Sequence, residues 1–273
     1  MDEMICVSEL SYSGCLGAPL KQLSFSVRKG GVHGILSPMG VEASTLLAIL
    51  AGSLRGAIGS FSICFGEEKL DSVALMRQKH WKYKIGYVPK FPEFYRNMTV
   101  YEALDFIGEA RGVAAELRLR QIEEALELVG ISNKERRLFE KLTAAEKKKA
   151  SIAAALLGNP SLLLIDEPIL SSFPADEKRE ISSLIRMLGT RKTVLLAGED
   201  LSVMRTLCED VILLSGGSVL ASGSFLELEE TLAQTDEKTS LEALYATLVA
   251  LEKEARWERH SLLSECEGKE GER

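Results

Sequence analysis

The chain has 273 residues, 46% hydrophobic and 27% charged, the mixture of a globular protein that can bury a core without disulfide support. Mean hydropathy is close to zero, and no run reaches the ~18 apolar residues that a membrane span needs. The acidic start Met1-Asp2-Glu3-Met4 lacks the layout of a secretory signal, so a cytosolic chain is expected.

The net charge is −7, which argues against a free nucleic-acid binder, a class that is usually basic. Of the 40 acidic and 33 basic residues, 13 and 6 fall in residues 224–273, so the C-terminal segment carries the whole imbalance. Cys6, Cys15, Cys64, Cys208 and Cys266 are scattered and form no C-x-x-C pair. They read as reduced thiols. Three widely spaced histidines give little support to a histidine-based metal site.

In chain order, the patterning predicts strands at Ile5–Leu10, Leu20–Val27, Val32–Leu36 and Ile58–Phe65, with one short helix at Ser44–Leu50. A strand at Lys84–Val88 follows. Val100–Arg111, Ala115–Leu128 and Ala144–Leu157 carry apolar residues at three-to-four spacing and read as helices. From Ser161 the chain alternates: strands at Ser161–Ile165, Thr193–Ala197, Val211–Leu214 and Val219–Ala221, helices at Pro174–Leu188 and Leu201–Leu207. Continuous apolar strands of this kind are buried on both faces of a parallel sheet. Helices at Leu226–Leu232 and Leu241–Arg256 close the pattern, and the polar tail from residue 260 reads as disordered. In the last helix Leu241, Leu244, Tyr245, Leu248 and Leu251 form one stripe expected to pack on the chain's own core.

The segment Leu162-Leu163-Leu164-Ile165-Asp166-Glu167-Pro168 is the most specific. A buried strand ending in two carboxylates presents them at the strand's carboxyl end, where open α/β sheets bind ligands. In a nucleotide hydrolase the first carboxylate would hold Mg²⁺ and the second would orient or deprotonate water.

Around that strand the chain resembles the ATP-binding cassettes of ABC transporters from about residue 3 to residue 235. The resemblance rests on Leu46–Gly52, Ile85-Gly86-Tyr87-Val88-Pro89, Leu156–Pro160, the Asp166-Glu167 strand and Ser222-Gly223-Ser224, in the family's order and spacing. It implies a P-loop NTPase-like α/β cassette over residues 1–223, with an antiparallel β subdomain and a helical subdomain at about 95–157. A helical extension over 224–259 and an acidic tail over 260–273 would follow. It also implies ATP and Mg²⁺ as cofactors and Ser44 and Asp166 as metal holders. The implied partners are a membrane permease subunit and a second cassette, in a homo- or heterodimer, with no nucleic acid. The implied location is the cytoplasmic, inner face of the cell membrane.

The chain departs from the family where nucleotide chemistry resides. A phosphate loop needs G-x-x-x-x-G-K-[ST], because glycines let backbone N–H groups wrap phosphate while Lys neutralises it. Ser37, Glu42 and Ala43 stand at the two glycines and the lysine, whereas Gly40, Ser44 and Thr45 still match. A lost charge-assisted hydrogen bond costs about 1.5–3 kcal/mol, and a carboxylate about 5 Å from phosphate adds roughly 3 kcal/mol of repulsion at an effective dielectric near 20. The signature L-S-G-G-Q reads Leu142-Thr143-Ala144-Ala145-Glu146. The glutamine that reaches Mg²⁺ is Lys90, and the histidine that touches the γ-phosphate is Glu199. The loop that crosses between subunits reads Leu170-Ser171-Ser172-Phe173.

The expectation is therefore a degenerate cassette, with Glu42, Glu146 and Glu199 placing acid where nucleotide would lie and Lys90 pairing with Asp166, Glu167 or Glu199. An active ATPase with unusual motifs and a soluble scaffold are the alternatives. Tyr12 or Gly14 would stand where adenine stacks. Arg77–Lys84, with interleaved aromatics, and the run Lys147-Lys148-Lys149 read as solvated faces.

Overall fold

The structure, a computed structural model, describes residues 3–73, 83–92, 94, 97–235 and 240–254. Ten strands are named among them. β1 (Glu3–Tyr12), β2 (Leu20–Arg28), β4 (Ile58–Phe65) and β5 (Glu68–Asp71) form an antiparallel sheet in the order β2-β1-β4-β5. β3 (Val32–Leu36), β6 (Ile85–Val88), β7 (Leu162–Asp166), β8 (Thr193–Gly198), β9 (Asp210–Ser215) and β10 (Ser218–Ser224) form the second sheet, ordered β10-β9-β3-β8-β7-β6. Its β9-β3-β8-β7-β6 pairings are parallel, and β10 returns antiparallel at the edge.

Every residue of β3, β7 and β8 is buried, as their unbroken apolar runs require of strands covered on both faces. Helix α1 (Val41–Leu50) fills the space between the sheets. Its Leu46, Leu47 and Leu50 share one core with Ile5, Leu23 and Phe61 of the antiparallel sheet and Ile35, Leu164 and Leu195 of the parallel one. The second core lies on the other face of the parallel sheet.

Three helices pack there: α2 (Val100–Ala110), α3 (Ala115–Leu128) and α4 (Ala144–Leu156). Arg111, just past α2, fastens them to β6. Its buried guanidinium donates to the Leu157, Ile85 and Tyr83 carbonyls at 2.8, 3.2 and 3.2 Å, and burial lowers its pKa to about 10. Helices α5 (Ala175–Gly189), α6 (Leu201–Leu207) and α7 (Phe225–Thr235) follow. A last helix, α8, runs from residue 241 through 254, its first turn capped by the Ser240 hydroxyl, which accepts the Ala243 N–H.

Four expectations need correction. β5 has no counterpart in the patterning, because its single buried residue, Leu70, is flanked by charge. The Lys147–Lys149 run is not a solvated face: Lys148 is 1% exposed and Lys149 8%. On a helix Lys148 lies three residues after buried Ala145 and four before buried Ile152, on the same inward face. Tyr12 is buried in the core between the sheets, so its ring has no free face for a base. The inward face of α8 carries Leu241, Tyr245, Leu248 and Val249, while Leu251 is 56% exposed. Residues 74–82, which hold most of the basic and aromatic stretch, and the tail from 255 lie outside the described residues.

Candidate functional site

The parallel strands aim their carboxyl ends at one edge, and of the predicted site residues Ser37, Gly40, Ser44, Lys90, Asp166, Glu167 and Glu199 gather there. β3 delivers the loop 37–40, whose first amide, Ser37 N–H, donates to the Gly198 carbonyl at 3.2 Å. Gly40 closes the loop at φ 69°. A Cβ at Gly40 would stand 2.9 Å from Glu167 Oε1 and 3.3 Å from Glu199 Oε2, so only glycine suits both the backbone and the space.

α1 then starts with no side-chain cap. Its first-turn N–H groups and its dipole point at the loop. Ala43 is fully buried with the core between the sheets. A methyl group therefore occupies the position at which a phosphate loop carries its cation.

From β7 come the carboxylates. Asp166 is the last strand residue, and its Oδ1 accepts the Ser44 hydroxyl at 2.8 Å. Glu167 follows at φ 45°, a left-handed backbone that costs a side-chain-bearing residue about 1–3 kcal/mol. Its N–H donates to the Ala197 carbonyl at 2.9 Å. The turn aims the Glu167 carboxylate at Gly40, where Oε1 is buried without a hydrogen-bond partner.

Two lysines offset this acid. Lys90 Nζ lies 3.8 Å from Glu167 Oε1, an ion pair too long for a hydrogen bond. Lys148 donates to the Pro89, Lys90 and Asp166 carbonyls, each at 2.9 Å, which uses all three ammonium hydrogens. Burial lowers its pKa to about 8 against the pull of Asp166 and Glu167. Burial raises Glu167 to about 7, with Lys90 opposing and Glu199 and Asp166 adding. Burial also lifts Asp166, opposed by Ser44, Lys148 and Lys90.

The three acids expected to wall the cleft take different places. Glu42 turns onto the β9–β10 turn, where Oε1 accepts the Gly217 N–H at 2.6 Å. Burial, with Glu252 adding, raises its pKa to about 7. Glu146 folds back onto its own helix start: it accepts the Thr143 N–H at 2.9 Å while Thr143 Oγ1 accepts the Glu146 N–H at 3.1 Å. Lys134 adds an ion pair at 3.1 Å. Burial would raise the Glu146 pKa, but the Thr143 N–H and Lys134 leave it below the usual carboxylate range. Only Glu199 faces the loop.

Thr143-x-x-Glu146 is thus a capping box, and this spacing is a structural signal that a motif comparison alone passes over. In the same segment Leu142 and Ala145 are buried and Ala144 is exposed. Thr45 turns from the cleft and donates to the Val41 carbonyl at 2.7 Å. Lys148 was missed because it sits among like residues. Its signal was helical phase rather than residue type.

A loop after the first parallel strand, a helix opening at its end and a carboxylate pair from the strand one beyond its neighbour together define a P-loop NTPase-type cassette. The comparisons agree. The family model described as "ABC transporter" matches residues 20–170, and the chain belongs to that family.

Among relatives, the uncharacterized ABC transporter ATP-binding protein YxlF of Bacillus subtilis is 29% identical over 227 residues, covering 83% of this chain and 73% of its own. ABC transporter A family member 1 of Dictyostelium discoideum is 27% identical over 210 residues, 77% of this chain but 23% of its own. The chain thus spans from under a quarter to under three quarters of these relatives' lengths. A solved ATP-binding subunit of an ABC transporter superposes with a TM-score of 0.74 at 21% identity, over 90% of this chain and 99% of its own. CbiO1 of Clostridium perfringens, part of the complex cbiONQ, gives 0.69 at 23%, with the same coverage. At these identities the structures establish the fold. Among the described residues, no helix is long and apolar enough to cross a membrane.

Proposed function

We propose that this chain is the cassette subunit of an ABC transporter that binds nucleotide weakly or not at all and couples a membrane permease to a partner ATPase subunit. One observation carries the reading: Ala43 stands where the loop's own lysine would be, and the Glu167 and Glu199 carboxylates converge on Gly40. Ala43 offers a buried methyl, and Glu42 brings no donor. Ser44 and Asp166 could still hold Mg²⁺. The orphaned oxygen of Glu167 could still face a water. A triphosphate would nevertheless meet two carboxylates and no lysine from its own loop. The residues present therefore do not suit ATP with Mg²⁺, and the isolated chain is expected not to hydrolyse it.

The permease contact belongs, on this reading, to a groove of about 450 Å³ between β6 and the helices, lined by Tyr87, Pro89, Phe94, Ile107 and Arg111. Phe91, at 66% exposure, stands beside it. An apolar groove with one exposed aromatic suits a short helix laid across it. The chain would then sit on the inner face of the membrane, held by its partner.

Titrating the full chain with fluorescently labelled ATP and Mg²⁺ tests the reading. Binding weaker than millimolar is expected, and saturable micromolar binding overturns it. Retention of Ser44, Asp166 and Glu167 favours a second reading, a working ATPase with altered motifs. Steady turnover abolished by Glu167→Gln would establish that one.

A further inference from the structure

We infer that the phosphate loop is filled by its own Ser37 side chain and strapped in that state by Tyr245 of α8, so that anion access is governed by this contact. The inference rests on the weak-nucleotide reading above and names the residues that enforce it.

Ser37 is 1% exposed, and every polar group it has is engaged. Its N–H reaches the Gly198 carbonyl. Its carbonyl accepts the Gly40 N–H at 3.0 Å. Its hydroxyl accepts the Ala43 N–H at 3.3 Å across the loop. That N–H belongs to the first turn of α1, where backbone donors are free to take an anion. A glycine at position 37 would leave the N–H open. The serine closes it from within, so an entering phosphate must first displace a hydroxyl already in place.

The strap comes from 208 residues further along the chain. The Tyr245 hydroxyl donates to the Glu199 carbonyl at 2.7 Å and lies 3.0 Å from the Ser37 carbonyl. Its ring is buried beside Leu241. At the other end of the same helix face, Glu252 accepts the Ser215 hydroxyl at 3.3 Å and adds its charge to that felt by Glu42.

Glu199, Ser37 and Ser215 sit at or just past the ends of β8, β3 and β9, three neighbours in the sheet. α8 therefore reaches the ends of all three strands, Tyr245 at β8 and β3 and Glu252 at β9, with Ser37 of the loop held beneath Tyr245. The loop's shape is then set by the chain's own C-terminal helix, where a nucleotide-binding loop takes it from the triphosphate.

The test uses the full chain and labelled ATP with Mg²⁺, comparing Ala43→Lys alone with Ser37→Gly/Ala43→Lys and Tyr245→Phe/Ala43→Lys. The inference expects each double variant to bind at least tenfold more tightly than Ala43→Lys. Equal affinities overturn it and leave the weak-nucleotide reading standing. Micromolar binding by the unaltered chain overturns both. Amide hydrogen exchange supplies a readout that needs no lysine. In Ser37→Gly and in Tyr245→Phe, the amides of residues 40–45 should exchange at least tenfold faster while those of β7 stay unchanged. Unchanged exchange at 40–45 overturns the inference even if Ala43→Lys does not fold.

Discussion

Two neighbouring parts of one cleft have changed in opposite ways. At the loop 37–40 Gly40 is left-handed and α1 starts at its end, while Ser37, Glu42 and Ala43 stand where the phosphate-loop pattern has two glycines and a lysine. At the end of β7 the side chains persist, and their surroundings have changed instead. Asp166 and Glu167 stand at the strand end with Ser44 bonded to the first, but lysines supply positive charge, one 3.8 Å from Glu167 and one donating to the carbonyl of Asp166. The difference shows that strand-end geometry and ligand chemistry are separable. The first is fixed by buried apolar strands, the second by a handful of groups at their tips.

The sharpest way to break this contrast is at Lys148. Lys148→Met leaves three carbonyls without their shared donor and leaves Lys90 as the remaining cation beside Asp166 and Glu167. It should cost about 3–5 kcal/mol, the range for breaking a buried charged contact, read as a lower urea midpoint. A loss below about 1 kcal/mol would mean that the β7 end does not depend on its lysine. Glu167→Gly relieves the left-handed strain and removes the orphaned oxygen, so it should stabilise the fold by about 1 kcal/mol. A destabilised variant would show that the carboxylate holds the cleft together. Thr143→Ala removes one half of a capping box and should cost about 1 kcal/mol, with no change in whatever nucleotide affinity exists. A change in affinity would return the Thr143–Glu146 segment to the binding surface.

A further expected effect is with pH. Glu42 and Glu167 are both raised from 4.5 to about 7, so the folded chain holds protons that the unfolded chain has released. Their stabilising contribution is full below about pH 4.5 and is lost as pH rises through about 7. The midpoint of thermal unfolding should fall modestly from pH 5.5 to pH 8. Glu42→Gln/Glu167→Gln should flatten that slope, and an unchanged slope would place its origin elsewhere.

Much of this architecture is legible in the residues. Val32–Leu36, Ile58–Phe65, Ala115–Leu128 and Leu201–Leu207 have the bounds that their patterning predicts, because an apolar run between turn residues leaves few choices. The family was equally legible. The directions of side chains were not. Glu42 stands in a phosphate-loop position but bonds a glycine 175 residues away, and no local pattern encodes that turn. Tyr245 read as one member of a core stripe, because periodicity reports which face is buried and says nothing of a hydroxyl at its edge. The burial of Lys148 follows from helical phase alone, which here outweighs the usual link between charge and solvent.

The placement of Lys148 has a mechanical consequence. One ammonium group is anchored at once to the segment after β6 and to the tip of β7, while its backbone belongs to α4. Those three pieces are thereby riveted into a single block. A push delivered in the groove at Pro89 would arrive at Asp166 as displacement of a solid body, with no fuel molecule needed to stiffen the connection. On the proposed function, such a subunit would relay movement generated in its neighbour as a lever does, by being rigid.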